Sequence, residues 1–169
     1  MSTETHVFPT TGLSQEDFDQ NRVITVAWNP RAEYGWDEGV AIGHYLQGLK
    51  EGKLLGRVCH KCRRRMIPPR MFCEQCFRPT DEWFEAADTG TVKTFSLCNI
   101  TWDMIKLDRP QIPAVIDVDG ASPGMGIMHL LGEVDPQAVR IGLKVKAVWK
   151  PADRRTGEIT DILYWKPIG

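Results

Sequence analysis

Four of the five cysteines in this 169-residue chain form two short pairs that could bind one metal ion. Cys59 and Cys62 make one pair and Cys73 and Cys76 the other, in the pattern C-x2-C-x10-C-x2-C. Each CxxC turn directs two sulfurs at a single ion, and Zn²⁺ prefers four thiolates in a tetrahedron at about 2.3 Å. Because four protein ligands leave no position for water or substrate, the pattern predicts one structural zinc ion per chain in a zinc ribbon.

Other uses of the same cysteines remain open. A rubredoxin-type iron site or an iron–sulfur site could use the same spacing. A pair of disulfides would need an oxidising compartment, and the N-terminus lacks the apolar segment of a secretory signal, so we expect reduced thiols in the cytoplasm. Haem attachment needs a histidine after the second cysteine, where the chain has Arg63 and Phe77. The fifth cysteine, Cys98, is expected to be a buried, unreactive thiol.

Basic residues are concentrated around the first cysteine pair. Residues 57–70 contain six lysines and arginines, although the whole chain has a net charge of −1. The candidates for binding the phosphates of a ligand, or an acidic partner, are Arg63, Arg64, Arg65 and Arg70. A solvated, positively charged face is the alternative. The near-neutral net charge gives no general attraction to nucleic acid or anionic membranes, and no apolar run is long enough to span a bilayer.

The elements that must position the cysteines begin with two N-terminal segments. Residues 1–35 read as an extended arm, in which Ile24, Val26 and Trp28 suggest docking on another surface. Residues 36–53 form the next segment, and a helix is predicted over residues 36–51 of it. Asp37 is a candidate N-cap, and Gly52 would terminate the helix. Val40, His44 or Tyr45, and Leu49 recur at helical spacing and would form its apolar face.

The ribbon itself is expected over residues 54–80, and residues 81–169 are expected to form a β-barrel. Five strands are predicted at residues 91–102, 112–118, 126–134, 143–149 and 159–165. The fourth strand alternates cleanly, with Val145 and Ala147 on one face and Lys144 and Lys146 on the other, as in a half-buried strand. Five short strands with a break after the third fit a Greek-key barrel of the OB type. The fold class is therefore mainly β, with an N-terminal helical segment.

The order of these motifs resembles one known family. Residues 54–62 read LLGRVCHKC and residues 67–76 read IPPRMFCEQC; EWF follows at 82–84, GTVKTF at 90–95, IPAVI at 112–116 and IGLKV at 141–145. Over residues 40–166 this is similar to the acyl-CoA-associated proteins catalogued as domain of unknown function 35, which join a rubredoxin-like zinc ribbon to an OB fold. Arg63 stands where the family often has glycine, and Glu74 where it often has proline.

The resemblance implies a function as well as a fold. Members of the family are typically non-catalytic partners of thiolase-like enzymes or related aldolases, and the nucleophilic cysteine belongs to the partner chain. The chain is similar in size and layout to the small subunit of thiolase complexes such as benzoylsuccinyl-CoA thiolase of toluene degradation. The resemblance thus implies a hetero-oligomer that shares a CoA thioester between its subunits, with the ribbon and helix docked on the partner.

Two observations on the residues bear on the choice between functional classes. No nucleophile–base spacing, glycine-rich phosphate loop or HExxH motif is visible, so no catalytic residue is assigned. An OB barrel beside a basic segment could instead bind single-stranded nucleic acid. Against that alternative, the predicted barrel strands carry several carboxylates and few arginines.

Overall fold

The computed structural model describes residues 12–23, 31 and 33–168. The chain divides into two compact units, residues 1–36 and 37–169. In the first unit, a short helix α1 (Gln15–Asp19) follows Ser14, whose backbone N–H donates to the Asp17 carboxylate at 2.7 Å. The predicted arm thus contains a helical turn, while the expectation that Ile24, Val26 and Trp28 dock concerns residues outside those described.

The second unit begins with helix α2 (Gly39–Glu51). It starts later than the predicted residue 36, and its N-cap is Glu38, but the Asp37 carboxylate still accepts the N–H of Gly39 at 2.9 Å. Gly52 terminates the helix in the left-handed conformation, as the sequence predicts. Tyr45 rather than His44 lies on its buried face, and Val40, which was assigned to that face, is exposed.

The ribbon contains five short strands. They are β1 (Leu54–Cys59), β2 (Arg64–Met66), β3 (Phe72–Cys73), β4 (Arg78–Pro79) and β5 (Glu82–Ala86). Strand β1 is paired with β2 and β5, and β3 forms a separate hairpin with β4. One cysteine pair lies at the β1–β2 turn and the other at the β3–β4 turn. Arg63 and Phe77, which follow the second cysteine of each pair, both have positive φ, at 61° and 49°.

The remaining strands build the barrel. They are β6 (Thr89–Phe95), β7 (Cys98–Ile100), β8 (Lys106–Val118), β9 (Gly126–Leu131), β10 (Lys144–Trp149) and β11 (Ile162–Pro167). The order β6-β10-β11-β9-β8 closes because β8 also pairs with β6, and β9 runs parallel to β11. This five-stranded ring confirms the predicted OB-like barrel.

Several predicted barrel strands differ from the observed ones; β8, for instance, begins at Lys106 and not at residue 112, and β9 ends at Leu131 and not at residue 134. The single strand at 91–102 is divided, because pairing stops after Phe95 and β7 then pairs only with β8, outside the ring. The fifth strand begins at Ile162, since Ile159–Asp161 form a 3₁₀ turn instead. That turn is fixed by the buried Asp161 carboxylate, which accepts the backbone N–H groups of Thr156, Gly157 and Glu158. The apolar residues around position 159 do not predict this turn, because it depends on the hydrogen bonds of one polar side chain.

The ribbon and the barrel belong to the same unit and are joined through Arg65. Its backbone N–H donates to the Ser122 hydroxyl at 2.9 Å, and its carbonyl accepts the Ser122 N–H at 2.9 Å. Its side chain donates to the Gly120 carbonyl at 2.5 Å and lies 3.9 Å above the Phe84 ring. Because Arg65 makes these contacts with both its backbone and its side chain, it fixes the orientation of β2, and with it the first cysteine pair, relative to the barrel.

Candidate metal centre

The four predicted cysteines converge at one point. The two β-turns place Cys59, Cys62, Cys73 and Cys76 so that all four sulfurs lie within 4.8 Å of one another. The Sγ atoms of Cys62 and Cys73 are 3.6 Å apart, and all four cysteines are free of disulfides. A tetrahedron with metal–sulfur bonds of about 2.3 Å has sulfurs roughly 3.8 Å apart, so the donor set fits Zn²⁺ without rearrangement of the backbone.

The protonation chemistry of the cluster also fits a bound cation. The backbone N–H groups of Cys62 and then Lys61 point at the Cys59 sulfur and lower its pKa to about 6. In contrast, burial and the neighbouring thiols raise the pKa of Cys76 to about 12. Four thiolates this close repel one another, so the full set ionises only when a divalent cation compensates their charge. With all four positions held by protein, the ion would stabilise the fold and take no part in chemistry.

One carboxylate that no sequence motif indicates connects the two turns. The N–H of His60, inside the first turn, donates to the Asp81 carboxylate at 2.6 Å. Asp81 also pairs with Arg78, whose guanidinium lies beside the Cys59 sulfur. The His60 N–H and then the Arg78 guanidinium hold the pKa of Asp81 below its ordinary value. Aspartate and arginine are ordinary surface residues, so only the fold shows that Asp81 and Arg78 surround the cysteine cluster.

The four arginines proposed as ligand contacts separate into two groups. Arg64 is paired with Glu74 at 3.1 Å, and Arg65 is engaged with Gly120 and Phe84. Arg70 is exposed and has only a longer contact to Glu74, at 3.6 Å. Arg63 is exposed and makes no ion pair within the part of the chain that the structure describes. Arg63 therefore retains a guanidinium group without an ion-pair partner among the described residues, and Arg70 is exposed but shares Glu74 with Arg64.

The histidines and the fifth cysteine lie apart from one another. The His44 ring packs on Trp83 with centroids 4.3 Å apart, and His60 pairs with Glu82 at 3.1 Å. His129, on β9, has its Nε2 atom 3.4 Å from the Ile159 carbonyl oxygen. Cys98 is half-buried on β7, not fully buried as expected.

The barrel also carries an apolar groove that no sequence motif indicated. A cavity of about 440 Å³ lies between β8, β9, the 3₁₀ turn and β11, and it is lined mainly by aliphatic side chains. A second cavity of about 160 Å³ lies on the β6 side. Pro113 and Met128 line both, so the two cavities are adjacent. Among the described residues, no helix combines the length and apolar character needed to cross a bilayer.

Comparison with known proteins is consistent with this architecture. Residues 46–82 match the family model of the ChsH2 rubredoxin-like zinc ribbon domain, and residues 83–150 match that of the ChsH2 C-terminal OB-fold domain. A DUF35 domain-containing scaffold protein of Methanocaldococcus jannaschii is 29% identical over 118 residues, which make up 68% of this chain and 82% of that protein.

Two solved structures share the fold. A DUF35-family protein of unknown function from Sulfolobus solfataricus gives a TM-score of 0.60 at 23% identity, over 77% of this chain and 87% of that one. A chain of the structure described as the Ltp2-ChsH2(DUF35) aldolase gives a TM-score of 0.57 at 19% identity, over 80% and 98% of the two chains. At these identities the likeness concerns the fold alone.

Proposed function

Because this chain belongs to the DUF35 family of zinc-ribbon and OB-fold proteins, we propose that it is a non-catalytic subunit of a thiolase-like enzyme acting on acyl-CoA. One relative is described as a scaffold protein, and one structural neighbour is part of an aldolase with a second named component. Those descriptions support, for this chain, a role in assembling an enzyme. The nucleophile of the reaction would then belong to the partner chain.

The observation that carries the proposal is the closed four-sulfur centre. It is the one group of three or more potential metal ligands found in residues 12–23, 31 and 33–168, and its four positions are all supplied by protein. The three described histidines contact a tryptophan, a glutamate and a backbone carbonyl, none of which is a nucleophile. A stable zinc ribbon whose described histidines all contact groups that are not nucleophiles suits a binding subunit.

The proposal also includes a direct contact between this chain and the acyl-CoA. Arg63 and Arg70 are exposed next to the metal centre, and their guanidinium groups could bind CoA phosphates in the assembled complex. If so, changing both to Gln would raise KM for the acyl-CoA several-fold while the complex stays assembled. Loss of assembly would make them partner contacts, and no change in either would make them solvated surface. The resemblance to the benzoylsuccinyl-CoA thiolase small subunit points to aromatic degradation as the pathway.

Single-stranded nucleic acid is the competing ligand, and the barrel surface does not favour it. Several exterior lysines are already paired with carboxylates, as Lys144 is with Asp119 at 3.5 Å and Lys166 with Glu133 at 3.1 Å. A nucleic-acid groove needs free cations along the backbone path. For location we propose the cytoplasm, since thiolate ligands persist where thiols are kept reduced.

Affinity purification of the tagged full-length chain from its native extract, with nuclease added, tests the proposal. We expect a thiolase-like protein in fixed stoichiometry, about one zinc per chain by elemental analysis, and acyl-CoA cleavage by the eluate. Recovery of the chain alone would contradict the subunit role. Recovery of material that nuclease removes would support nucleic-acid binding, and iron in place of zinc would correct the metal assignment.

A further inference from the structure

The outer surface of the barrel differs in polarity from strand to strand. On β10 the inward residues Val145 and Ala147 are buried, and the outward residues Lys144 and Lys146 pair with Asp119 at 3.5 Å and Asp88 at 3.8 Å. This is the apolar-in, polar-out alternation of a strand with one face in water. Strand β10 therefore shows what an uncovered strand of this protein looks like.

Strands β8 and β9 depart from that pattern. Their inward-facing residues form most of this part of the barrel core, but over residues 113–115 of β8 and 128–130 of β9 the outward-facing residues are apolar too. Pro113 lies opposite Leu130, and Val115 lies opposite Met128, so these four side chains share the outer face. Met128 is 73% exposed. A strand pair that is apolar on both faces is typical of a sheet that is covered on both sides.

A hairpin extends the same strand beyond the barrel. Strand β7 pairs only with the first part of β8. Two hydrogen bonds close the turn between them: the Thr101 N–H donates to the Ile105 carbonyl at 2.9 Å, and the Ile105 N–H donates to the Thr101 hydroxyl at 3.0 Å. At this turn Trp102 is 95% exposed and Met104 is 79% exposed. The turn is held in shape, yet its largest side chains contribute almost nothing to the core.

The size of this surface indicates what could cover it. Trp102 belongs to a side-chain class that buries roughly 150–250 Å², and together with the exposed aliphatic side chains of the turn and the groove it presents an apolar area on the order of 1,000 Å². One side of a stable protein interface is about 800 Å². The area matches one side of a permanent interface between proteins, and it exceeds what one small ligand could cover.

We propose that the β7–β8 turn and the apolar groove on β8 and β9 together form a docking surface for the catalytic subunit, in addition to the ribbon and helix expected to dock there. Trp102 is the anchor, and it inserts into an apolar cleft of that partner, because a rigid exposed indole gains the most from desolvation at an interface. The groove, with Met128 at its centre, receives an apolar ridge of the same partner. This inference rests on the proposed subunit role and adds a surface that performs it.

The test compares tagged variants of the full chain in the native extract. We expect Trp102→Ser combined with Met104→Ser to lower the recovered thiolase-like partner at least tenfold. Ile141→Ser is the matched control, because Ile141 is 68% exposed on a different loop, and it should recover the partner as the wild type does. Zinc content and the unfolding midpoint should be unchanged in both, since neither site supports the core.

The outcomes separate the two proposals. If the wild type recovers the partner and the Trp102 and Met104 double variant recovers it equally well, the docking surface is wrong while the subunit role stands. If the wild type recovers no partner, the subunit role fails and the docking surface fails with it. If the purified chain is instead a dimer by light scattering and the double variant is a monomer, the surface joins two copies and the proposed occupant is wrong.

Discussion

The guanidinium of Arg78 donates to both carboxylate oxygens of Asp81, from Nη1 at 2.9 Å and from Nη2 at 2.7 Å. Arg78 follows the second cysteine pair, and Asp81 also accepts the N–H of His60 within the first turn. The ion pair therefore holds the two cysteine turns at a fixed separation. It also keeps a positive charge beside the Cys59 sulfur.

Removing this ion pair should loosen the metal centre. We expect Asp81→Asn to lower zinc affinity about 10- to 100-fold, the usual effect of losing a group that orients metal ligands. Competition with a chromophoric chelator measures this affinity. Asp117→Asn is the control, because Asp117 makes only a 4.0 Å contact with the exposed Lys93, and its zinc affinity should match the wild type. Equal affinities in the two variants would mean that Asp81 plays no part in metal binding.

The cysteines of the centre and the cysteine outside it should behave differently. Cys76→Ser should abolish stoichiometric zinc and unfold the ribbon, because a four-thiolate site contributes its binding free energy to folding. Cys98→Ser should retain the metal and the fold, since Cys98 lies on β7 away from the cluster. Elemental analysis and circular dichroism of the two purified proteins provide the comparison. A folded, metal-free Cys76→Ser protein that still binds its partner would refute the structural role of the ion.

Asp161 should make the barrel sensitive to acid. Burial alone would raise its pKa, but the N–H groups of Thr156, Gly157 and Glu158 outweigh burial and hold the pKa below its ordinary value of 3.8. The unfolded chain therefore binds more protons near that pH, so this stability is complete well above pH 4 and is lost as the pH falls through and below about 4.

Asp161→Asn measures that contribution. We expect a loss of about 2–3 kcal/mol at pH 7, because a buried charged acceptor is replaced by a neutral one. Urea unfolding at pH 7 and at pH 3.5 should show the difference between wild type and variant shrinking at the lower pH. A difference that is the same at both pH values would show that the Asp161 charge is not responsible.

Arg63 adopts a conformation that suits glycine. Its φ of 61° lies in the left-handed region, which costs a residue with a Cβ atom about 1–2 kcal/mol. Part of the gain from Arg63→Gly is offset by the greater freedom of glycine in the unfolded chain. We expect a net stabilisation of about 0.5–1 kcal/mol in urea unfolding of the zinc-bound protein. Arg70→Gly, at a position without positive φ, should destabilise instead, and stabilisation by both changes would contradict this explanation.

The features that could be predicted from sequence are those with a strict local pattern. The cysteine spacing predicted the four-sulfur cluster, because a CxxC turn is a local geometry, and the alternation at residues 143–149 predicted a barrel strand. The division of residues 91–102 into β6 and β7 could not be predicted, because continuous β-forming residues do not reveal which partner strand each half will meet. The glycine often found at this position in the family that the sequence resembles agrees with the positive φ of Arg63, but only the structure shows that backbone requirement.

By itself, the sequence determined which four cysteines form the cluster, the terminating glycine of α2 and the order of ribbon and barrel, since each depends on near neighbours in the chain. The tertiary structure decided which polar groups remain free. It occupied Arg64 and Arg65, left Arg63 and Arg70 exposed, and recruited Asp81 to the metal centre. It also placed Trp102 outside the core. These outcomes depend on contacts between residues distant in sequence, and no local pattern carries that information.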